Sequence, residues 1–232
     1  YKRQAHSVLD MVRAAQQLPE SGAGSSFVVW GASQGGNTAF WVGQLAADYA
    51  PELTLKGVAA SAPALNLRKI AAYNQDKPAG GIFMGMVFAA WDQVYAEASL
   101  QAILKPDAAD AFQRMIRPCF TAPAGFLPAL ADLRTPQEYL AVDILATPPW
   151  PGLFDHNSPD GPIAVPMVIA HGTADALIPI ALSEQAVSRR SRRGETIQII
   201  RLPGVGHDAR DESAGYLMTW VQERFEGQGP TR

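Results

Sequence analysis

Cysteine is nearly missing from this chain: Cys119 stands alone. An internal disulfide is therefore excluded, as is any metal site built on several thiolates. Charge is also sparse, with 18% Asp, Glu, Lys and Arg and a formal net charge of −3. Such a balance gives no general attraction to nucleic acid or to an acidic membrane surface. No apolar run reaches the length of a bilayer span. The longest, "GGIFMGMVFAAW" from Gly80 to Trp91, is too short and too glycine-rich, and reads instead as a buried or pocket-lining segment. Internal repeats and low-complexity tracts are absent as well. No signal-peptide pattern is visible, but the chain opens on Tyr1 rather than methionine, so a processed or truncated start is expected.

What is present suits a domain with a sizeable core: 232 residues, 47% of them hydrophobic. Between Lys2 and Leu18, Ala5, Val8, Leu9, Val12 and Ala15 recur at steps of three or four, the stripe of an amphipathic helix. "PESGAGSS" ends it with turn formers. "FVVW", residues 27–30, is a short continuous apolar strand of the kind buried on both faces in a parallel sheet. After the glycines that follow, Ala39, Val42, Leu45, Ala46 and Tyr49 form another helical stripe, stopped before Pro51. "LKGVAASAPA" (55–64), "VPMVIAHGTAD" (165–175) and "ETIQIIRLPGVGH" (195–207) read as three further strands, with helices at about 180–193 and 214–225.

Strands alternating with helices imply α/β architecture with a mostly parallel sheet. The stretch 67–162, rich in alanine and proline, is too long for a loop and has helical pieces at 93–104 and 107–116. It is expected to be a helical cap inserted between the second and third strands. The expected organisation is thus a first core part at 1–66, the insertion at 67–162 and a second core part at 163–232.

In an open α/β sheet, ligands sit outside the carboxyl ends of the strands. Ser33 follows the first strand, Asp175 the third and His207 the fourth. A serine hydroxyl attacks an acyl carbon only when an imidazole takes its proton, and the imidazole needs a carboxylate to hold its tautomer and stabilise its charge. In "GASQGG", Gly31 and Gly35 flank Ser33 at two residues' distance, as a tight strand-to-helix turn requires. The backbone N–H of Gln34, at the helix start, is then placed to stabilise an oxyanion. Ser, Asp and His in that chain order, at successive strand ends, are a far stronger signal than Gly-x-Ser-x-Gly alone.

These residues resemble the α/β-hydrolases, and more narrowly the secretory lipase family. The resemblance rests on "SVLDMVRAAQQLP", "VVWGASQGG", "LKGVAASAPA", "HNSPDGPIAVPMVIAHGTADALIP" and "LPGVGH", which cover most of the chain outside the insertion. It implies Ser33 as nucleophile, Asp175 as acid and His207 as base, acting on carboxylic esters, acylglycerols included. It implies no metal or organic cofactor and a secreted or extracytoplasmic location. Some relatives transfer the acyl group to acceptors other than water, so acyl transfer by the same triad stays open. A non-catalytic lipid-binding remnant is the alternative from another class.

The family pattern places several strands before the nucleophile strand, and a loop there supplies a second oxyanion donor. Here one helix precedes it. The expectation is a C-terminal portion of a longer protein; a shortened hydrolase is the other account. The outer edge of strand 27–30 would then lack a partner within the chain, and association of two copies across that edge is expected. A disulfide at the helix before the last strand, where relatives carry cysteine, is excluded by "AVSRRSRRG".

Other candidates carry plainer readings. His171 is expected to bond the backbone near the acid turn, His6 to lie on the surface of the first helix, and His156 to belong to a loop. "HDARDE" (207–212) lacks the second histidine a metal would want. "RRSRR" (189–193) complements a helix C-terminus. Phe83, Met84, Met86, Phe88 and Trp91 read equally as core or as an acyl-binding wall.

Overall fold

The computed structural model describes residues 2–117 and 132–227; Cys119 lies outside them. Strands β1 (Ser26–Ala32), β2 (Thr54–Ser61), β3 (Met167–Gly172) and β4 (Ile197–Leu202) form one sheet in the order β1-β2-β3-β4. All three pairings are parallel. Parallel neighbours need a crossover between them. Helix α2 (Gln34–Tyr49) joins β1 to β2, and a helix at Ile180–Arg192 joins β3 to β4.

The sheet is buried on both sides, and strand residues divide between the faces with period two. Val58, Ala60, Met167 and Ile169 pack on one face with Phe40, Val42 and Ala46 of α2, Leu9 of helix α1 (Lys2–Gln16) and Ala186. Ala59, Val168 and Ala170 pack on the other with Leu217 and Trp220 of the last helix, Arg210–Phe225. Every residue of β3 is buried, whereas β1, at an edge of the sheet among the described residues, is mostly half-exposed. That difference explains why β3 reads as a long apolar run and β1 as a short one.

The chain divides into two compact units, Tyr1–Asn66 with Asn157–Arg232, and Leu67–His156. The insertion was expected to run to 162. Residues 157–162 instead belong to the sheet unit, to which Arg190 and α2 tie them. The Arg190 guanidinium, buried beneath α2, donates to Pro159 O at 2.7 Å and Gly161 O at 3.1 Å, pairs with Glu195 at 2.6 Å and lies over the Phe40 ring. Asn157 O accepts from Asn37 Nδ2 at 3.2 Å and from Trp41 Nε1 at 3.4 Å.

The helical unit contains α3 (Leu67–Asn74), α4 (Pro78–Val94), α5 (Leu100–Ile103), α6 (Ala109–Ile116), α7 (Pro136–Tyr139) and α8 (Trp150–His156). The continuous helix expected at 93–104 is broken at 95–99. Tyr95 leaves helical geometry, Asp92 Oδ1 takes the Leu100 N–H at 2.7 Å, and Ser99 caps α5 through the Ala102 N–H. These caps satisfy helix-end donors more favourably than continued winding through the turn. Helix α4 keeps its glycines despite their low helix propensity, and they admit close neighbours: a Cβ at Gly81 would meet Arg134 O at 1.7 Å. Among the described residues no helix is long and apolar enough to cross a membrane.

Arg190 supplies the first prediction. Arg190→Ala leaves two carbonyls without their donor and Glu195 with only the 3.8 Å Arg193 pair in a buried site, so unfolding in urea should show a loss of about 3 kcal/mol or more. A loss below about 1 kcal/mol, typical of surface pairs, would contradict the clamp.

Candidate active site at the strand ends

Because all four strands run the same way, the chain leaves β1, β3 and β4 on one rim of the sheet. Ser33 is the first residue beyond β1 and the cap of α2, with φ 52° and ψ −115°. A non-glycine residue there is strained by roughly 1–3 kcal/mol and persists only if its surroundings hold it. The holding contacts come from β2 and the turn after it. Ser33 N–H donates to Ser61 O at 2.8 Å, and Ser33 O accepts from the Ala64 and Asn37 N–H groups at 3.2 Å each. Asn37 Nδ2 closes the loop on Ala64 O at 2.8 Å.

The glycines differ from expectation in one respect. A Cβ at Gly31 would meet Gly35 O at 2.1 Å, so Gly31 is sterically required. At Gly35 a Cβ would meet nothing within 4 Å; its backbone, not its missing side chain, is what crowds Gly31. The second required glycine is Gly36, where a Cβ would lie 2.7 Å from Pro63 Cβ. Gln34 opens α2, where backbone N–H groups have no intrahelical partner.

His207 sits in the loop after β4, and Asp175 in the turn after β3. The two loops touch: Ala174 N–H donates to Val205 O at 2.9 Å, and Gly204 N–H to Thr173 Oγ1 at 2.9 Å. Gly172 makes the approach possible, since a Cβ there would meet Val205 O at 2.2 Å and Gly206 O at 2.6 Å. Sequence reading missed Gly172, although a glycine inside an apolar strand signals just such a close approach.

The three expected side chains meet. His207 Nε2 lies 2.9 Å from Ser33 Oγ, and His207 Nδ1 lies 2.8 Å from Asp175 Oδ2. An ionised carboxylate only accepts, so Nδ1 carries the proton and Nε2 is free to accept from the serine hydroxyl. Asp175 Oδ1 takes the Leu177 and Ile178 N–H groups at 2.9 and 2.8 Å. Burial pushes the Asp175 carboxyl up, but hydrogen bonds from His171, His207 and the Ile178 N–H outweigh it and hold the group well below the usual carboxylate range. Since that pKa is depressed, the stabilisation it brings is fully present above the unfolded carboxylate value of about 3.9 and is lost only as pH falls through the folded value. Asp175 is thus ionised throughout the range in which histidine titrates.

His171 is wholly buried on β3. It meets the backbone as expected, with Nε2 2.9 Å from Ile178 O, but it also reaches Asp175 Oδ2 at 3.1 Å and, through Nδ1, Ser183 Oγ at 2.8 Å. His6 stacks on Tyr49 with ring centroids 3.9 Å apart, and His156 ends α8 with its ring edge-on to Tyr95. Among the described residues no group of three or more His, Cys, Asp or Glu could hold a metal ion. In "RRSRR", Arg189 and Arg193 pair with Asp160, and Arg190 is the buried clamp.

The five apolar candidates of the helical unit separate. Met84, Phe88 and Trp91, at 6%, 0% and 5% exposure, pack into that unit's core, where the Phe88 and Trp91 rings contact Trp150 and Phe154. Phe83 and Met86, at 45% and 40%, present apolar surface. Position along α4 decides this, which a run of apolar letters without polar breaks could not reveal.

A parallel sheet between helix layers, with a strained serine turn and an acid and base on later strand ends, defines the α/β-hydrolase class. Solved structures bear out the fold: Candida antarctica lipase A is 18% identical with a TM-score of 0.77, covering 97% of this chain and 54% of that one. The cell wall degrading esterase LipA from Xanthomonas oryzae is 16% identical with a TM-score of 0.68, covering 92% and 61%. Residues 1–232 match the secretory lipase family throughout, and the chain belongs to that family. Lipase A from Arthroderma benhamiae is 24% identical over 241 residues, covering 98% of this chain and 50% of that protein. The chain spans about half the length of the relatives it matches.

The glycine geometry yields a paired prediction. Gly31→Ala and Gly36→Ala should each lower stability by about 1–3 kcal/mol or more through overpacking. Gly35→Ala, in the first turn of α2 with open space, should leave the melting temperature unchanged or raise it. Equal losses at all three positions in thermal unfolding would refute the distinction.

Proposed function

We propose that the chain carries the catalytic centre of a serine carboxylic ester hydrolase of lipase or esterase type. The observation that supports this is the unbroken run of hydrogen bonds from Ser33 Oγ through the His207 imidazole to Asp175, at 2.9 and 2.8 Å. In this reading Ser33 Oγ bonds to the acyl carbon as its proton passes to His207 Nε2. The tetrahedral intermediate's oxygen is met by the Gln34 N–H. As the intermediate collapses, the carbon–oxygen bond to the alcohol breaks and the same proton leaves with the alcohol. Water then gives a proton to Nε2 as its oxygen bonds to the acyl carbon; the bond from that carbon to Ser33 Oγ breaks, the proton on Nε2 returns to Oγ, and the acid leaves. Asp175 keeps its negative charge throughout and stabilises the transient imidazolium.

The printed names of relatives, lipases and an esterase, agree with ester substrates. Of the residues considered for acyl contact, Met84, Phe88 and Trp91 are occupied in packing within the helical unit.

Ser33→Ala should reduce kcat for a p-nitrophenyl ester by on the order of 10⁶ while leaving the circular dichroism spectrum unchanged. Asp175→Asn should cost about 10⁴. A fluorophosphonate probe should label Ser33 in the natural protein and not in Ser33→Ala. Turnover that survives loss of the Ser33 hydroxyl would end this assignment.

A further inference from the structure

We infer that His171 is a positioning residue for the catalytic acid: a second, buried imidazole that shares the Asp175 carboxylate with His207. The inference rests on the Ser33–His207–Asp175 reading and goes beyond it, since that chemistry needs only one histidine.

The partners of His171 settle its proton. Nε2 lies 2.9 Å from Ile178 O and 3.1 Å from Asp175 Oδ2. A carbonyl and an ionised carboxylate can only accept, so Nε2 carries the hydrogen and donates to both. Nδ1 is then bare and accepts from the Ser183 hydroxyl at 2.8 Å. The reverse tautomer would aim a lone pair at two acceptors in a site without solvent, since both His171 and Asp175 side chains are fully buried. Ser183, on the helix after β3 and itself buried, thereby fixes the tautomer of His171.

The carboxylate of Asp175 consequently accepts four hydrogen bonds. Two backbone N–H groups hold Oδ1, and two imidazoles hold Oδ2: His207 Nδ1 at 2.8 Å and His171 Nε2 at 3.1 Å. A donor that does not take part in proton transfer draws off part of the negative charge that would otherwise act on His207. It moderates how strongly Asp175 favours imidazolium over imidazole. His207 must be neutral to accept the serine proton. Loss of the His171 donor therefore favours the protonated base, and the acid limb of activity moves to higher pH.

The other charged groups on the surrounding elements are Asp208, paired with Arg210, Asp211 and Glu212 on the last helix, and the exposed Arg201–Glu184 pair on β4 and the helix before it. None of them is altered in the variants below.

The test is kcat/KM for a p-nitrophenyl ester against pH, using the natural full-length protein and normalising rates to sites titrated with a fluorophosphonate. His171→Phe should shift the acid limb upward by roughly 0.5–1 pH unit. His171→Gln, which keeps an N–H donor near the Nε2 position, should restore the wild-type limb. Ser183→Ala, which frees the tautomer, should shift the limb in the same direction by less. A purely structural histidine would change the melting temperature and the titratable fraction but not the limb. An unmoved limb in His171→Phe overturns the inference, as does an equal shift in His171→Gln. Should His171→Phe yield no folded protein, an unmoved limb in Ser183→Ala overturns it instead. Failure of the natural protein to react with the fluorophosphonate at Ser33 is a separate result: it overturns the triad reading, and this inference with it.

Discussion

The common direction of the four strands is the constraint from which the site follows. Ser33, Asp175 and His207 are separated by more than a hundred residues of chain between first and last, yet each stands just past the carboxyl end of a strand. Parallel pairing brings those ends to one rim, and the order β1-β2-β3-β4 sets their spacing. Strand β2 contributes no group to the hydrogen-bonded relay, but it holds the serine. Its terminal carbonyl, Ser61 O, takes the Ser33 N–H, and the turn that follows ties Ser33 O and Asn37. A parallel sheet must be covered on both faces, and the two apolar layers supply that cover.

Close backbone approach is the second recurring device. Around the serine turn and the Asp175 turn the geometry excludes even a methyl group at Gly31 against Gly35 O, at Gly36 against Pro63, and at Gly172 against the loop after β4. The first two let a strand pass into a helix through a residue with positive φ. The third presses the acid turn onto the base loop, so Asp175 and His207 are located relative to one another by main chain. Side chains that must meet at 2.8 and 2.9 Å are thus positioned by the least flexible parts of the molecule. In the proposed reaction that arrangement would lower the entropy lost when reacting groups are aligned.

Much of this was legible in the residues. Continuous apolar runs bounded by glycine and proline marked all four strands, and the strand–helix alternation gave their direction. That Ser33, Asp175 and His207 come together followed from position at strand ends together with chemical type. What escaped depended on tertiary neighbours. Arg190 sits in a basic run that reads as a solvated helix end, and nothing local shows that Phe40, Glu195 and the Pro159 and Gly161 carbonyls surround it. Helix α4 has three glycines and few polar residues to reveal a face, so its buried and exposed sides could not be told apart before the neighbours of Gly81 and Gly85 were known. The break at 95–99 came from Asp92 and Ser99 serving as caps, a choice that propensity alone does not make. Gly35 was misread because the i+2 spacing is diagnostic while the collision belongs to Gly31.

The hydrogen-bonded chain also has a gradient of hydration that the proposed chemistry would need. Asp175 is sealed from solvent at the side chain, whereas the His207 side chain is 25% exposed. A buried carboxylate without donors would take up a proton; four hydrogen bonds keep this one charged. Burial in turn strengthens its field at the imidazole, since water does not screen it. In the proposed reaction His207 could not be sealed in the same way, because it would have to exchange its proton with an alcohol and then with water. His171 belongs to the dry end of that gradient. It provides a donor where solvent would otherwise have to enter, and so lets the acid remain both charged and buried.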